Sequence, residues 1–264
     1  MNRKVDRSFI KTLPGTVQLN NYFLEKKIMR NFLKYSHTEK EQSRFYKQFI
    51  AKNDLVYDVG CNIGSRTKIF LNLGAKVVGF EPQAELCNFL QDHLKRNKSF
   101  SLEKTALGST SDIREIKISN AHVLSSMSDR WIHATQKSGR FKNYNWDNTE
   151  KVPVTTLDEK IQVYGTPSYI KIDVEGYEFE VLKGLSVPVQ NISIEFTAED
   201  IENSYNCIDY ISTLGDFFFN YSTGENLILT DQNWKSTDNI KHCLKKLCDK
   251  ENKAWGDVYA KLII

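Results

Sequence analysis

From residue 54 onward, short apolar runs alternate with segments of helical spacing, and this alternation limits the fold more than any other feature of the chain. The runs LVYDVG and AKVVGF flank GSRTKIFLNL, a helical segment that ends at Gly74. Pro82 begins a second helical segment, QAELCNFLQDHLKRN, whose apolar residues share one face. Alternation of this kind predicts a parallel sheet with right-handed crossovers.

The remaining runs complete the predicted sheet. Strand character continues in SFSLEKTAL, PSYIKID, NISIEF, DVYAKLII and either ENLILT or FFFNYS. The last of these predict an antiparallel edge on a mostly parallel, seven-stranded sheet. Residues 20–52 are predicted to be helical in two pieces, with Phe45, Phe49 and Ile50 near helical spacing. We therefore expect a helical cap over residues 1–52 and one α/β domain over residues 53–264.

Composition narrows the class of protein. The net charge of +3, from 36 basic and 33 acidic residues, is too small to indicate nucleic-acid binding. No apolar run is long enough to cross a membrane, and the opening MNRKVDRSFIKTL lacks the apolar core of a secretory signal. The five cysteines form no C-x-x-C pair, so reduced thiols are expected and a zinc site is not. These features predict a cytoplasmic protein.

The first motif is VYDVGCNIG, residues 56–64, at a turn from strand to helix. Glycine lets the main chain approach a ligand closely, and the following helix offers free N–H groups. About twenty residues later the second strand ends at Glu81, where a carboxylate can accept hydrogen bonds from ribose hydroxyls. The two halves together favour a cofactor that contains a nucleoside.

The glycine spacing distinguishes between cofactors. A dinucleotide fingerprint needs G-x-G-x-x-G, and the third glycine is missing from G-C-N-I-G. The form D-x-G-x-N-x-G instead resembles the first motif of S-adenosylmethionine methyltransferases. That resemblance implies that the loop binds the methionine end of the cofactor and that the acid after the second strand binds the ribose.

A longer series of motifs sharpens the resemblance. In order, DVGCNIG, FEP, VTTLD at residues 154–158, IKIDVEGYEFEVLKG and ISIEF resemble the FkbM-type methyltransferase family over roughly residues 45–200. The block K-I-D-V-E-G-x-E is the most specific part. The family implies a Rossmann-like class I methyltransferase fold and transfer of a methyl group to hydroxyl oxygens of sugars or natural products. Cys61 stands where the family often has alanine, and both residues are small.

The candidate site residues follow from these motifs and from the rule that ligands bind at the carboxyl ends of parallel strands. Asp173, Glu175 and Glu195 are the candidate catalytic residues, with Asp173 as the first choice for the base or the acceptor-orienting group. The candidate cofactor-binding residues are Asp58, Gly60, Cys61, Asn62, Gly64, Glu81, Pro82, Ala106 and Asp173. The three catalytic carboxylates could instead hold a divalent cation, but the spacing does not favour a metal over hydrogen bonding. For Glu178, a functional role and capping of the following helix remain open.

Residues 119–151 are predicted to be a polar insert, because their apolar residues do not alternate as they would in a strand. Trp131 and Arg140 belong to a mixture of aromatic and basic residues that suits an acceptor-binding segment or lid, and a solvated loop is the alternative. His122 and His133 are further candidate bases, and Ser125 and Ser126 are candidate contacts to cofactor or acceptor.

Three classes of function stay open at this point. The leading one is an O-methyltransferase for a small molecule or glycan, with S-adenosylmethionine as cofactor. The others are a methyltransferase that acts on nucleic acid and a nicotinamide-dependent dehydrogenase. The acceptor, the methylated position and the oligomeric state are not encoded in any motif.

Overall fold

The structure is a computed structural model that describes residues 37–263, so the part of the expected N-terminal cap within residues 1–36 lies outside the described residues. The helices are α1 (His37–Tyr46), α2 (Ser65–Asn72), α3 (Ala84–Leu94), α4 (Asp129–Lys137), α5 (Leu157–Tyr164), α6 (Glu178–Leu182), α7 (Ile201–Thr213) and α8 (Thr237–Lys250). The strands are β1 (Leu55–Val59), β2 (Lys76–Phe80), β3 (Phe100–Glu103), β4 (Ala106–Leu107), β5 (Asp112–Ile118), β6 (Asn148–Thr155), β7 (Tyr169–Ile172), β8 (Asn191–Thr197), β9 (Phe217–Thr223) and β10 (Trp255–Leu262).

Seven strands form the main sheet in the order β3-β2-β1-β7-β8-β10-β9. The pairs from β3 to β8 are parallel, and β10 runs antiparallel to both of its neighbours. The predicted α/β fold with a mostly parallel sheet and antiparallel pairing at one edge is confirmed. Of the two alternatives for the late strand, FFFNYS is the one that forms β9.

The register of the central strands brings their carboxyl ends to one level. Val59 at the end of β1 pairs with Phe80 at the end of β2 and with Ile172 at the end of β7. The chain beyond each of these residues therefore emerges at the same edge of the sheet. This edge carries the motifs around Gly60, Glu81 and Asp173.

Alternation along β7 separates two apolar layers. Ile170 and Ile172 belong to a cluster that includes Phe196, Ile208 and other residues beneath α6, α7 and α8. Tyr169 faces the opposite layer, with Tyr46, Phe70 and aromatic neighbours. Since successive side chains of a strand point to opposite faces, Lys171 lies on the Tyr169 side and is almost completely buried.

A second, three-stranded sheet was not predicted from the sequence. Its order is β4-β6-β5, with β4 parallel and β5 antiparallel to β6. The run SFSLEKTAL, expected as one strand, is divided between β3 in the main sheet and β4 in the small one. Most of β5 is exposed or half-buried, which explains why its sequence lacks an apolar pattern.

The insert is more ordered than a polar loop. It contains a helical turn at His122–Leu124, the nine-residue helix α4 and the first part of β6. Leu124, Trp131 and Ile132 form its own small core. Within residues 37–263, no helix is both long and apolar enough to cross a membrane.

Candidate active site

The glycine turn after β1 is held against the end of β2. The N–H groups of Gly60 and Cys61 both donate to the carbonyl oxygen of Phe80, at 3.0 and 3.1 Å. Gly60, Asn62 and Gly64 all have positive φ values, of 75°, 53° and 79°, so the main chain reverses tightly before α2 begins at Ser65. The N-terminus of α2 therefore follows directly after the turn, and no side-chain hydrogen bond caps it.

Gly60 is required by the main chain itself. A Cβ atom at this position would lie 2.0 Å from the carbonyl oxygen of Asp173. The expectation from the sequence was that this glycine leaves room for a ligand. The structure shows instead that it lets the β1 turn touch the segment after β7, so a side chain here would separate two parts of the site.

Asp58 and Cys61 support this turn from inside. Asp58 is buried and accepts a 2.5 Å hydrogen bond from the hydroxyl of Thr67 in the first turn of α2. Burial raises the pKa of Asp58, and Lys171 opposes that shift. The Cys61 thiol is buried, which raises its pKa well above the ordinary value. Both residues therefore shape the turn rather than offer a free reactive group.

Glu81 is buried at the end of β2 and organises the neighbouring main chain. Its Oε2 accepts from the N–H of Asn62 at 2.9 Å, and its Oε1 accepts from the N–H of Gln83 at 2.9 Å. Burial raises the pKa of Glu81 to about 7, against the lowering effect of these hydrogen bonds. A carboxylate has about four acceptor sites, and with the bond from the Gln83 side chain three are used within the protein, so Oε2 keeps capacity for one ribose hydroxyl.

A hydrogen-bonded bridge connects Glu81 to the insert, and the sequence did not reveal it. The side-chain amide of Gln83 donates to Glu81, and Ser125 donates to the amide oxygen of Gln83 at 3.0 Å. The next residue, Ser126, donates to the carbonyl oxygen of Glu175 at 2.6 Å. The two adjacent serines therefore join the candidate ribose site to the candidate catalytic site.

Residues 173–177, here called the carboxylate loop, follow β7. Glu175 and Gly176 have positive φ values of 55° and 89°, so the loop turns sharply. Asp173 is half-buried, and its Oδ2 lies 2.5 Å from the Nζ atom of Lys171. This ion pair fixes the Asp173 side chain and places a buried positive charge directly below the site.

Asp173, Glu175 and Glu195 converge, as the sequence predicted for three strand-end carboxylates. Each offers an oxygen, and these oxygens lie within 4.8 Å of one another. Burial raises the pKa values of Glu175 and Glu195 well above the ordinary range, and the negative charges of the other carboxylates add to the shift. Three carboxylate oxygens in this arrangement suit either a shared proton or a hard cation such as Mg²⁺.

The insert forms a fixed wall beside the carboxylate loop. Trp131 is 1% exposed, and a Cβ atom at Gly176 would lie 2.3 Å from the Cβ of Trp131. Arg140 makes two 2.8 Å hydrogen bonds to Glu199, between β8 and α7, and donates to the carbonyl oxygen of Lys253. Both residues expected to contact an acceptor therefore have structural partners.

The other candidates lie apart from the carboxylates or in a supporting place. Pro82 is half-buried beside Glu81. Ala106 packs with Ile116 and Val154 in the core of the small sheet, so its contact with a cofactor stays a prediction. His133 is exposed on α4, and burial lowers the pKa of His122.

The fold and the edge of the sheet together define a class of protein. The strand order with one antiparallel strand near the end, the glycine turn after β1 and the acid after β2 are those of a Rossmann-like class I methyltransferase. The family described as the methyltransferase FkbM domain matches residues 58–219. The chain belongs to this family and carries an S-adenosylmethionine-dependent methyltransferase domain.

Individual relatives are more distant. The chain is 26% identical over 155 residues to the hexuronic acid methyltransferase AglP of Haloferax volcanii, and the match spans 59% of each protein. Among solved structures, a precorrin-6Y C5,15-methyltransferase from Geobacter metallireducens aligns with a TM-score of 0.44 at 9% identity, covering 87% of this chain and 92% of that one. A SAM-dependent O-methyltransferase from Thermotoga maritima aligns with a TM-score of 0.39 at 9% identity, covering 85% and 65%.

Proposed function

We propose that the protein transfers the methyl group of S-adenosylmethionine to a hydroxyl oxygen of a sugar or glycan. The observation that carries this proposal is the convergence of three carboxylates beside the cofactor motif, at oxygen separations within 4.8 Å. The sulfonium already activates the methyl group, so the protein has to align the acceptor oxygen and remove its proton. The similarity to a hexuronic acid methyltransferase supports a sugar as the acceptor.

The three carboxylates divide these tasks. Asp173 is held by Lys171 and is suited to orienting the acceptor hydroxyl and facing the positive sulfonium. Glu175 and Glu195 have raised pKa values because of burial and mutual repulsion. A raised pKa makes a carboxylate a stronger proton acceptor, so we assign the base to this pair.

A cleft offers a place for the acceptor. Its volume is about 630 Å³, and β5, the start of α4, α6 and α7 form its walls. Gly176 and Asn203 line both this cleft and a narrow crevice that contains Glu195. Planar polar side chains and aromatic rings line it, as expected for recognition of sugar hydroxyls and ring faces: Arg114, Arg130, Tyr177, Phe179 and Asn206.

The charge of this cleft argues against a nucleic-acid acceptor. Its walls contain two arginines and three acidic residues, Glu115, Asp129 and Glu180. Nucleic-acid sites instead present an excess of positive charge to the phosphates. The family assignment also replaces the alternative of a nicotinamide-dependent dehydrogenase.

The test is transfer of a labelled methyl group from S-adenosylmethionine to a panel of sugars and glycans that includes uronic acids. We expect label on an alkali-stable ether oxygen, with activity that survives chelation because carboxylates supply the base. Loss of activity with chelator and recovery with Mg²⁺ or Mn²⁺ would assign Asp173, Glu175 and Glu195 to a cation. Transfer to RNA rather than to any sugar would overturn the proposed acceptor class.

A further inference from the structure

The carboxylate loop has a conformation that its own sequence does not favour. Glu175 adopts a left-handed conformation with φ of 55°, which is uncommon for a residue other than glycine, and Gly176 follows with φ of 89°. Such a turn persists only where surrounding contacts determine it. Ser126 and Trp131 hold one side of the loop.

Glu178 holds the other side of the loop. The side chain is 2% exposed, and its Oε1 accepts from the N–H groups of Val174 and Gly176, both at 3.1 Å. Glu178 is the first residue of α6, but these bonds go to residues before the helix. Its side chain therefore ties the loop to the start of the helix.

The second oxygen of Glu178 connects the loop to a different part of the fold. Its Oε2 accepts a 2.7 Å hydrogen bond from the side-chain amide of Asn203. Asn203 is 4% exposed and lies on α7, beyond the strand that carries Glu195. One buried carboxylate thus joins the segment that carries Asp173 and Glu175 to the element that follows Glu195.

We propose that Glu178 and Asn203 are a positioning pair that holds the carboxylate loop in the conformation in which Asp173 faces the cofactor and Glu175 meets Glu195. The proposal rests on the proposed function for the identity of the cofactor. Neither residue of the pair is assigned a contact with the reacting atoms. Their effect on the site passes through the main chain of Val174 and Gly176.

The hydrogen-bond donor and the acceptor of the pair can be swapped by substitution. Asn203→Asp replaces the amide donor by a carboxylate that faces Glu178, so two negative groups repel each other. Adding Glu178→Gln restores a donor and an acceptor in reversed positions, because the glutamine oxygen still accepts from the loop and its amide donates to the carboxylate introduced on α7. Glu178→Gln alone needs only a rotation of the Asn203 amide and should be mild.

Two measurements test the effect of the pair on the carboxylate loop. Calorimetry gives the affinity for S-adenosylmethionine, and hydrogen exchange without cofactor gives the opening of the main-chain amides of Val174 and Gly176. We expect Asn203→Asp to weaken cofactor binding at least tenfold and to speed exchange of these amides at least tenfold. We expect the double variant to recover most of both losses. Asn239→Asp makes the same chemical change on the exposed face of α8 and should alter neither measurement.

Several results would overturn the proposal. The first is hydrogen exchange of the Val174 and Gly176 amides at the wild-type rate in Asn203→Asp. The second is a double variant whose cofactor affinity and exchange rates are the same as those of Asn203→Asp alone. If Asn203→Asp does not fold, Asn203→Ala removes the donor without adding a charge and gives the same comparison with wild type. Hydrogen exchange is measured without cofactor, so it tests the positioning pair even if the wild-type protein does not bind S-adenosylmethionine. Failure of the wild-type protein to bind would contradict the proposed function alone.

Discussion

At the scale of single residues, the site depends on carboxylates with different surroundings. Asp173 has a buried ammonium group as its partner, whereas burial and neighbouring negative charge raise the pKa values of Glu175 and Glu195. Different surroundings suit different tasks. A carboxylate held in an ion pair can orient the acceptor hydroxyl, and a carboxylate with a raised pKa can take up its proton.

Neutral substitutions separate these tasks. Asp173→Asn and Glu195→Gln keep the side-chain shapes but cannot accept a proton at neutral pH. We expect each to lower kcat by about 10²–10⁴-fold, with the larger loss at Glu195 as the base. Steady-state kinetics with an acceptor found in the methyl-transfer screen provide the measurement. Turnover close to wild type in either variant would remove that residue from the catalytic set.

The candidate residues at the edge of the sheet could be predicted because short motifs carry them. Gly60, Glu81 and Asp173 each follow a buried strand, and parallel strands end at one level. The bonds from Ser125 to Gln83 and from Asn203 to Glu178 span 42 and 25 positions between common polar residues. Nothing in the local pattern marks such pairs, so only the tertiary structure reveals them.

At the scale of elements, the insert packs against the carboxylate loop and the segment after β8. The helix α4 is amphipathic, with Trp131, Ile132 and Thr135 buried, but it is only nine residues long and the sequence prediction of an acceptor-binding segment or a solvated loop did not include it. Ion pairs attach the insert to the segment after β8, from Arg140 to Glu199 and from Arg130 to Asp200. The first of these pairs is largely buried, with side-chain exposures of 13% and 4%.

Arg140→Ala is therefore expected to act on stability. Removing one partner of a largely buried ion pair costs on the order of 3 kcal/mol, because Glu199 is left without its partner. In a domain of this size that corresponds to a fall in Tm of roughly 6–12 °C. Differential scanning fluorimetry measures the change, with Lys142→Ala, an exposed residue of the same insert, as the control. An unchanged Tm together with a raised acceptor KM would contradict this and indicate that Arg140 binds the acceptor.

At the scale of the whole molecule, several acidic groups are buried in or near the main sheet. Burial raises the pKa values of Glu81 and Glu178 to about 7 and those of Asp200 and Asp257 to about 6. Between the unfolded and folded pKa values, the folded state holds more protons than the unfolded chain. The free energy of unfolding therefore falls as pH rises through this window.

This linkage predicts a lower Tm for the cofactor-free protein at pH 8 than at pH 5.5. Thermal unfolding across that range gives the measurement, with ionic strength held constant. Glu81→Gln should reduce the slope, because one of the titrating groups is then absent. A Tm that rises steadily from pH 5.5 to pH 8 would show that these carboxyls are ionised in the folded protein at little cost.

The most direct test of the account is calorimetric binding of S-adenosylmethionine to the wild-type protein and to Glu81→Ala. We predict that the wild-type protein binds S-adenosylmethionine and not NAD⁺. Losing the charge-assisted hydrogen bond to the ribose should cost about 2–3 kcal/mol, a weakening of roughly 30–150-fold. Glu85→Ala, which changes an exposed residue on α3, should bind as wild type does. A folded wild-type protein that binds NAD⁺ instead, or a folded Glu81→Ala variant with unchanged affinity, would contradict the account.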